Sequence, residues 1–159
     1  MKRAAGYLGI VCTAWLMMAG ALSAANRFGA GIVLGDPSGL TGKLFISGSD
    51  AVDFGLGASA HDGFYLYADY LRHFAGVFPV GELALYLGAG GGFRNHDHDE
   101  SDRHDHDDEN SLEVRVPIGV EYTVRQVPLG IFLELVPALE LVPDVDFHLR
   151  GGLGARYFF

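Results

Sequence analysis

The residues best suited to chemistry lie in one short segment, Asn95-His96-Asp97-His98-Asp99-Glu100-Ser101-Asp102-Arg103-His104-Asp105-His106-Asp107-Asp108-Glu109-Asn110. Within it, eight acids against one arginine give residues 96–109 a formal charge of −7 with histidine neutral. Two His-Asp-His-Asp units supply four imidazoles, and imidazole nitrogen and carboxylate oxygen are both ligands for Zn2+; Ni2+ and Cu2+ accept the same donors. His96, Asp97, His98, Asp99, His104, Asp105, His106 and Asp107 are therefore the candidate metal ligands, and zinc or another divalent cation is the candidate cofactor. The same residues also fit a solvated acidic loop, or a pH-responsive one whose imidazoles titrate at about pH 6–7. A calcium loop fits less well. Asp97, Asp99, Ser101 and Asp105 fall at EF-hand-like positions, but Asp102 stands where a glycine is required and no helices flank the segment.

The elements that must position this segment read as strands. From Arg27 to Phe159 apolar residues recur with period two, broken by short turn clusters, which predicts eight strands. They run at about 27–35, 40–47, 51–60, 64–74, 82–94, 112–124, 129–141 and 147–159. The sixth is the most regular: Leu112, Val114, Val116, Ile118, Val120, Tyr122 and Val124 share one face. Pro137 interrupts the seventh and predicts a bulge or local irregularity there.

The polar face of these strands is wrong for a soluble sheet. It mixes glycines with isolated charges of both signs, namely Lys43, Asp53, Asp69, Glu113, Arg115, Glu121, Glu134, Glu140, Arg150 and Arg156. That composition suits a narrow lumen in which side chains must fit and pair, while the other face is almost wholly aliphatic and aromatic, as a lipid-facing band is. In hydrocarbon an open sheet edge leaves backbone groups unsatisfied at several kcal/mol each, so the sheet must close. The expected fold is thus all-β: an eight-stranded antiparallel up-and-down transmembrane β-barrel. The runner-up is a soluble periplasmic lipocalin-like barrel.

The first residues set the compartment. Met1-Lys2-Arg3 is a short basic region, Ala4 to Gly20 an apolar core, and Ala21-Leu22-Ser23-Ala24-Ala25 a run of mostly small residues, so 1–25 is expected to be a signal peptide and 26–159 the barrel. An uncleaved anchor helix fits less well, because no basic stop-transfer flank follows. The lone cysteine, Cys12, falls in the leader, so the mature part is expected to have no disulfide. Removing Lys2 and Arg3 takes the formal charge from −9 to −11, which argues against nucleic acid as a partner.

These features together resemble OmpA/OmpX-type small outer-membrane β-barrel proteins: a leader, period-two strands over the whole mature chain, and a last strand ending Arg156-Tyr157-Phe158-Phe159. The resemblance implies a cell outer-membrane location and outer-membrane lipid as surroundings. It also implies recognition by the barrel-assembly machinery through the C-terminal strand, where Phe159, Tyr157 and Leu153 match the family's alternating terminal signal. Both chain ends would face the periplasm, which puts the loop at 95–110 outside the cell. That loop resembles the His/Asp loops of zinc-uptake proteins. The residues end with the last strand, so no peptidoglycan-binding domain is expected. Ser47, Ser59 and His148 are assigned to the lumen face and His73 to a strand end, which leaves no serine-histidine pair on the lipid side and predicts a non-enzyme. The functional expectation is a structural or binding surface protein displaying the loop, with a narrow cation-selective pore as the alternative. An eight-stranded interior is just filled by side chains, which favours a closed lumen.

Overall fold

The computed structural model describes residues 27–58, 63–95, 110–143 and 145–159. Nine strands form, β1 (Phe28–Gly35), β2 (Ser38–Phe45), β3 (Asp50–Ala58), β4 (Phe64–Phe74), β5 (Leu83–Asn95), β6 (Asn110–Arg115), β7 (Ile118–Thr123), β8 (Leu129–Val142) and β9 (Asp146–Phe158). Every pairing is antiparallel, and β1 pairs with both β2 and β9 while β4 pairs with β5, so the sheet closes into a ring. Closure joins the first and last strands directly: Gly29 stands opposite Phe158 and Gly35 opposite Gly152.

The strand count corrects the sequence reading in a simple way. The predicted single strand 112–124 is β6 followed by β7, separated by Val116 and Pro117. Proline has no N–H to give to a ladder. The register nevertheless runs straight through the gap: on β5, Gly90 faces Arg115 and Leu87 faces Ile118, and on β8, Ala138 faces Arg115 and Leu135 faces Ile118. The Pro117 carbonyl still accepts from Gly88 N–H at 2.9 Å. The ring therefore has eight staves, one of them interrupted.

Pro137, expected to mark an irregularity, sits in regular register opposite Leu149, and its carbonyl accepts from Val116 N–H at 2.9 Å. The irregularity lies nearer the strand end, where Leu112 faces Val142 but Glu113 faces Glu140, leaving Leu141 as an extra residue on β8. Strand bulges are common near rims, where they tighten the twist.

Two ends can be distinguished. One carries Phe159, whose N–H donates to the Phe28 carbonyl at 2.8 Å, and the connections at 46–49, 75–82 and 124–128; it is called the terminal end. At the opposite, loop end lie the turn at 36–37 and the strand ends Ala58, Phe64, Asn95, Asn110, Val142 and Asp146. The predicted third strand reached residue 60, but 59–62 lie outside the described residues, as does the expected signal peptide at 1–25.

The polarity of the two faces is the reverse of a water-soluble fold. Among the described residues, thirty-three large hydrophobic side chains are exposed, whereas ten hydrophobic residues are buried. The exposed ones run around the whole ring, from Ile32 and Leu34 on β1 to Leu149 and Leu153 on β9. Burying a side chain of this size is worth about 1.5–3 kcal/mol, so even at ~1 kcal/mol each the outer face forgoes roughly 30 kcal/mol in water. That exceeds the ~5–15 kcal/mol by which domains are typically stable.

Candidate functional site: a charged lumen

The strand period of two puts one residue in every pair inside the ring, and a narrow interior leaves no solvent for the charges found there. Lys43, Asp53, Asp69, Glu113, Arg115, Glu121, Glu134, Arg150 and Arg156 are all buried, as the face assignment predicted, and Glu140 lies half-buried at the loop end. The structure adds Arg94 and Tyr65 to this set, and buries Thr41, Tyr67 and Tyr86, whose parity in the sequence puts them on the same polar face. Arg94 continues the parity of Gly90 and Gly92, and Tyr65 that of Tyr67 and Asp69, so the same alternation carried further reaches them.

Toward the loop end Tyr65 is a hub. Its hydroxyl accepts from Arg115 Nη1 at 2.8 Å and from Arg150 Nη1 at 3.1 Å, and donates to Glu113 Oε1. Arg150 also donates to Glu113 Oε1 at 2.5 Å, and Arg94 bridges Glu113 at 3.6 Å and Glu140 at 3.8 Å. His148 Nε2 lies 3.3 Å from Glu140 and 3.7 Å from Asp146, which closes the cluster at the mouth.

Midway, the Arg115 guanidinium lies over the Tyr67 ring at 4.0 Å and contacts Asp69 at 3.0 Å and Glu134 at 3.8 Å. Glu134 accepts from the Tyr86 hydroxyl at 2.9 Å. Toward the terminal end Arg156 lies 3.8 Å from the Phe132 ring centre and donates to Thr41 at 2.6 and 3.1 Å and to Asp53 at 2.8 Å. Lys43 donates to Glu121 at 2.6 Å.

The short Lys43 Nζ to His73 Nε2 separation, 3.3 Å, fixes the histidine tautomer. An ammonium has only donors, so Nε2 accepts and Nδ1, 3.3 Å from the Ser49 carbonyl, carries the proton. Ser47, assigned to the lumen face by parity, instead lies in the turn beyond β2, where its hydroxyl donates to Asp50 Oδ2 at 2.7 Å.

The interior is tightly filled. A cavity lined by Val33, Pro37, Tyr67, Arg115, Glu134 and Arg150 has room for about one water molecule. The arrangement pairs charges and fills space. Among the described residues no three His, Cys, Asp or Glu side chains gather as a metal site. All eight sequence-derived metal ligands, His96, Asp97, His98, Asp99, His104, Asp105, His106 and Asp107, lie outside the described residues. Their segment springs from Asn95 and Asn110, which face each other at the loop end, Asn95 Nδ2 donating to Asn110 Oδ1 at 3.1 Å.

A closed antiparallel ring with a charged, side-chain-filled interior defines a small β-barrel. Its fold is similar to that of the N-terminal β-barrel domain of Pseudomonas aeruginosa OprF in its crystal structure, at 17 % identity and a TM-score of 0.58. The alignment covers 85 % of this chain and 99 % of that one. The likeness supports an OmpA-type β-barrel fold. No family model and no curated protein matches the chain.

Proposed function

We propose that the chain is an outer-membrane β-barrel with a closed lumen that displays the segment at 95–110 outside the cell, where it captures zinc or a similar divalent cation. The observation that carries the membrane reading is the reversed polarity: charges buried inside a closed ring and apolar side chains exposed all around it. A lipocalin-like barrel in water would have the opposite faces. The OmpA-type fold supports the same reading, with the strand ending in Phe159 as the segment for the barrel-assembly machinery and outer-membrane lipid as the surroundings.

The metal part rests on composition alone: four imidazoles interleaved with carboxylates at the loop end. A barrel interior filled by side chains that pair with one another leaves the displayed segment as the natural place for specific function. The test is zinc titration of protein refolded into phospholipid vesicles, beside a variant with His96, His98, His104 and His106 changed to alanine. The expected outcome is co-flotation of both proteins with vesicles and at least tenfold weaker zinc binding by the variant. Protein that stays soluble without vesicles overturns the membrane reading, and equal zinc affinities overturn the metal reading.

A further inference from the structure

Among the described residues five buried cations face five buried carboxylates, yet the charges are not matched section by section, because Glu140 at the half-buried mouth adds a sixth carboxylate. Toward the loop end Arg94 and Arg150 are matched by Glu113 and Glu140. In the rest of the lumen three cations, Lys43, Arg115 and Arg156, face four carboxylates, Asp53, Asp69, Glu121 and Glu134. His73 is no fourth cation there, because its Nε2 accepts from Lys43. This section therefore carries one negative charge in excess, in an interior with room for about one water molecule, where a poorly compensated charge is costly.

The excess has an address. Asp53 on β3 and Asp69 on β4 stand directly opposite each other in the sheet, both buried on the lumen side. Facing residues of an antiparallel pair have β carbons about 4.5–5.5 Å apart, and like charges there repel. Each aspartate meets one guanidinium through Oδ2: Asp53 with Arg156 at 2.8 Å, and Asp69 with Arg115 at 3.0 Å, the latter poorly aligned for a hydrogen bond. Their Oδ1 atoms are buried with no hydrogen-bond partner. Glu121 is held by both Lys43 and Arg156, and Glu134 by Arg115 and the Tyr86 hydroxyl, so neither is left short in this way.

We propose that Asp53 and Asp69 form a proton-binding site, holding one proton between them at neutral pH so that the pair carries a single negative charge. Two carboxylates in one site do not ionise together cheaply, and a proton needs no room. A metal ion does. Asp69 Oδ1 packs against the Gly90 backbone, where even a β carbon would lie 2.2 Å from it, and no three-ligand group exists among the described residues. The other groups facing the pair are Lys43 and Thr41 from β2, Tyr67 from β4, Glu113 and Arg115 from β6, Glu121 from β7, Glu134 from β8 and Arg156 from β9.

Infrared spectroscopy of the refolded barrel tests this. At pH 7 the wild type should show the carbonyl band of a protonated carboxylic acid, the band should shift on aspartate-specific 13C labelling, and it should vanish in both Asp53→Asn and Asp69→Asn. No band in the wild type, a band insensitive to aspartate labelling, or a band surviving in both variants overturns the proposal. The first two readouts need only wild-type protein, so a variant that fails to fold does not remove the test. A second readout is stability against pH. A folded chain holding one more proton than the unfolded chain loses stability as pH rises, by roughly tenfold in the folding equilibrium per pH unit until the pair releases it. Asp69→Asn should flatten that slope, and an unchanged slope also overturns the proposal.

Discussion

At the scale of single residues, Arg156 is the side chain on which the terminal half of the lumen depends most. It is fully buried, its guanidinium covers the Phe132 ring, and its donors reach Thr41, Asp53 and Glu121, which belong to three different strands. Buried ion pairs add little net stability over well-packed apolar residues, but removing one partner strands the other and costs about 3–5 kcal/mol. Arg156→Met is therefore expected to destabilise the refolded barrel by about 3–5 kcal/mol in denaturant titration. Arg156→Lys should cost less, because it keeps the charge while losing the planar fork and the ring contact. Equal losses would mean that charge is not what Arg156 supplies. Residues of this kind are legible in sequence by parity: Arg156 alternates with Leu153, Ala155 and Tyr157 as an inward position must. Which carboxylate it meets is not legible, since Thr41 and Asp53 are brought to it by ring closure over more than a hundred residues.

At the scale of strands, the seam between β1 and β9 decides whether a sheet becomes a barrel. Gly31 lies in that seam opposite Arg156, and a β carbon on it would stand 1.8 Å from the Ala155 carbonyl oxygen. The obstacle is backbone of the partner strand, which cannot swing aside as a flexible side chain would. Gly31→Val is expected to prevent closure, seen as loss of the compact, heat-sensitive band on unboiled gels, whereas the same change at Gly48, in a turn with open space around it, should leave the band intact. The strand pattern itself was readable because burial with period two survives even where bonding fails: Val114, Val116, Ile118 and Val120 keep one face across the break at Pro117. The break was not read because hydrophobic alternation is blind to a missing N–H. The irregularity expected at Pro137 rests on its missing N–H, whereas the extra residue, Leu141, is accommodated nearer the strand end, where the residue types give no sign of it.

For the whole molecule, a transmembrane path requires a connected line of space from the loop end to the terminal end. The interior instead stacks a tyrosine hub on three guanidiniums, then Arg115 on Tyr67, then Arg156 on Phe132, and the cavity beside them has room for about one water. Protein reconstituted in planar bilayers at neutral pH is thus expected to give no steady conductance steps, even at high salt where a cation-selective pore would conduct most. Steps of uniform size that scale with salt concentration would require the lumen side chains to part, and would favour the narrow pore over the closed lumen. Silence, with insertion confirmed by protease protection of the strands, would leave the lumen as a closed strut of paired charges.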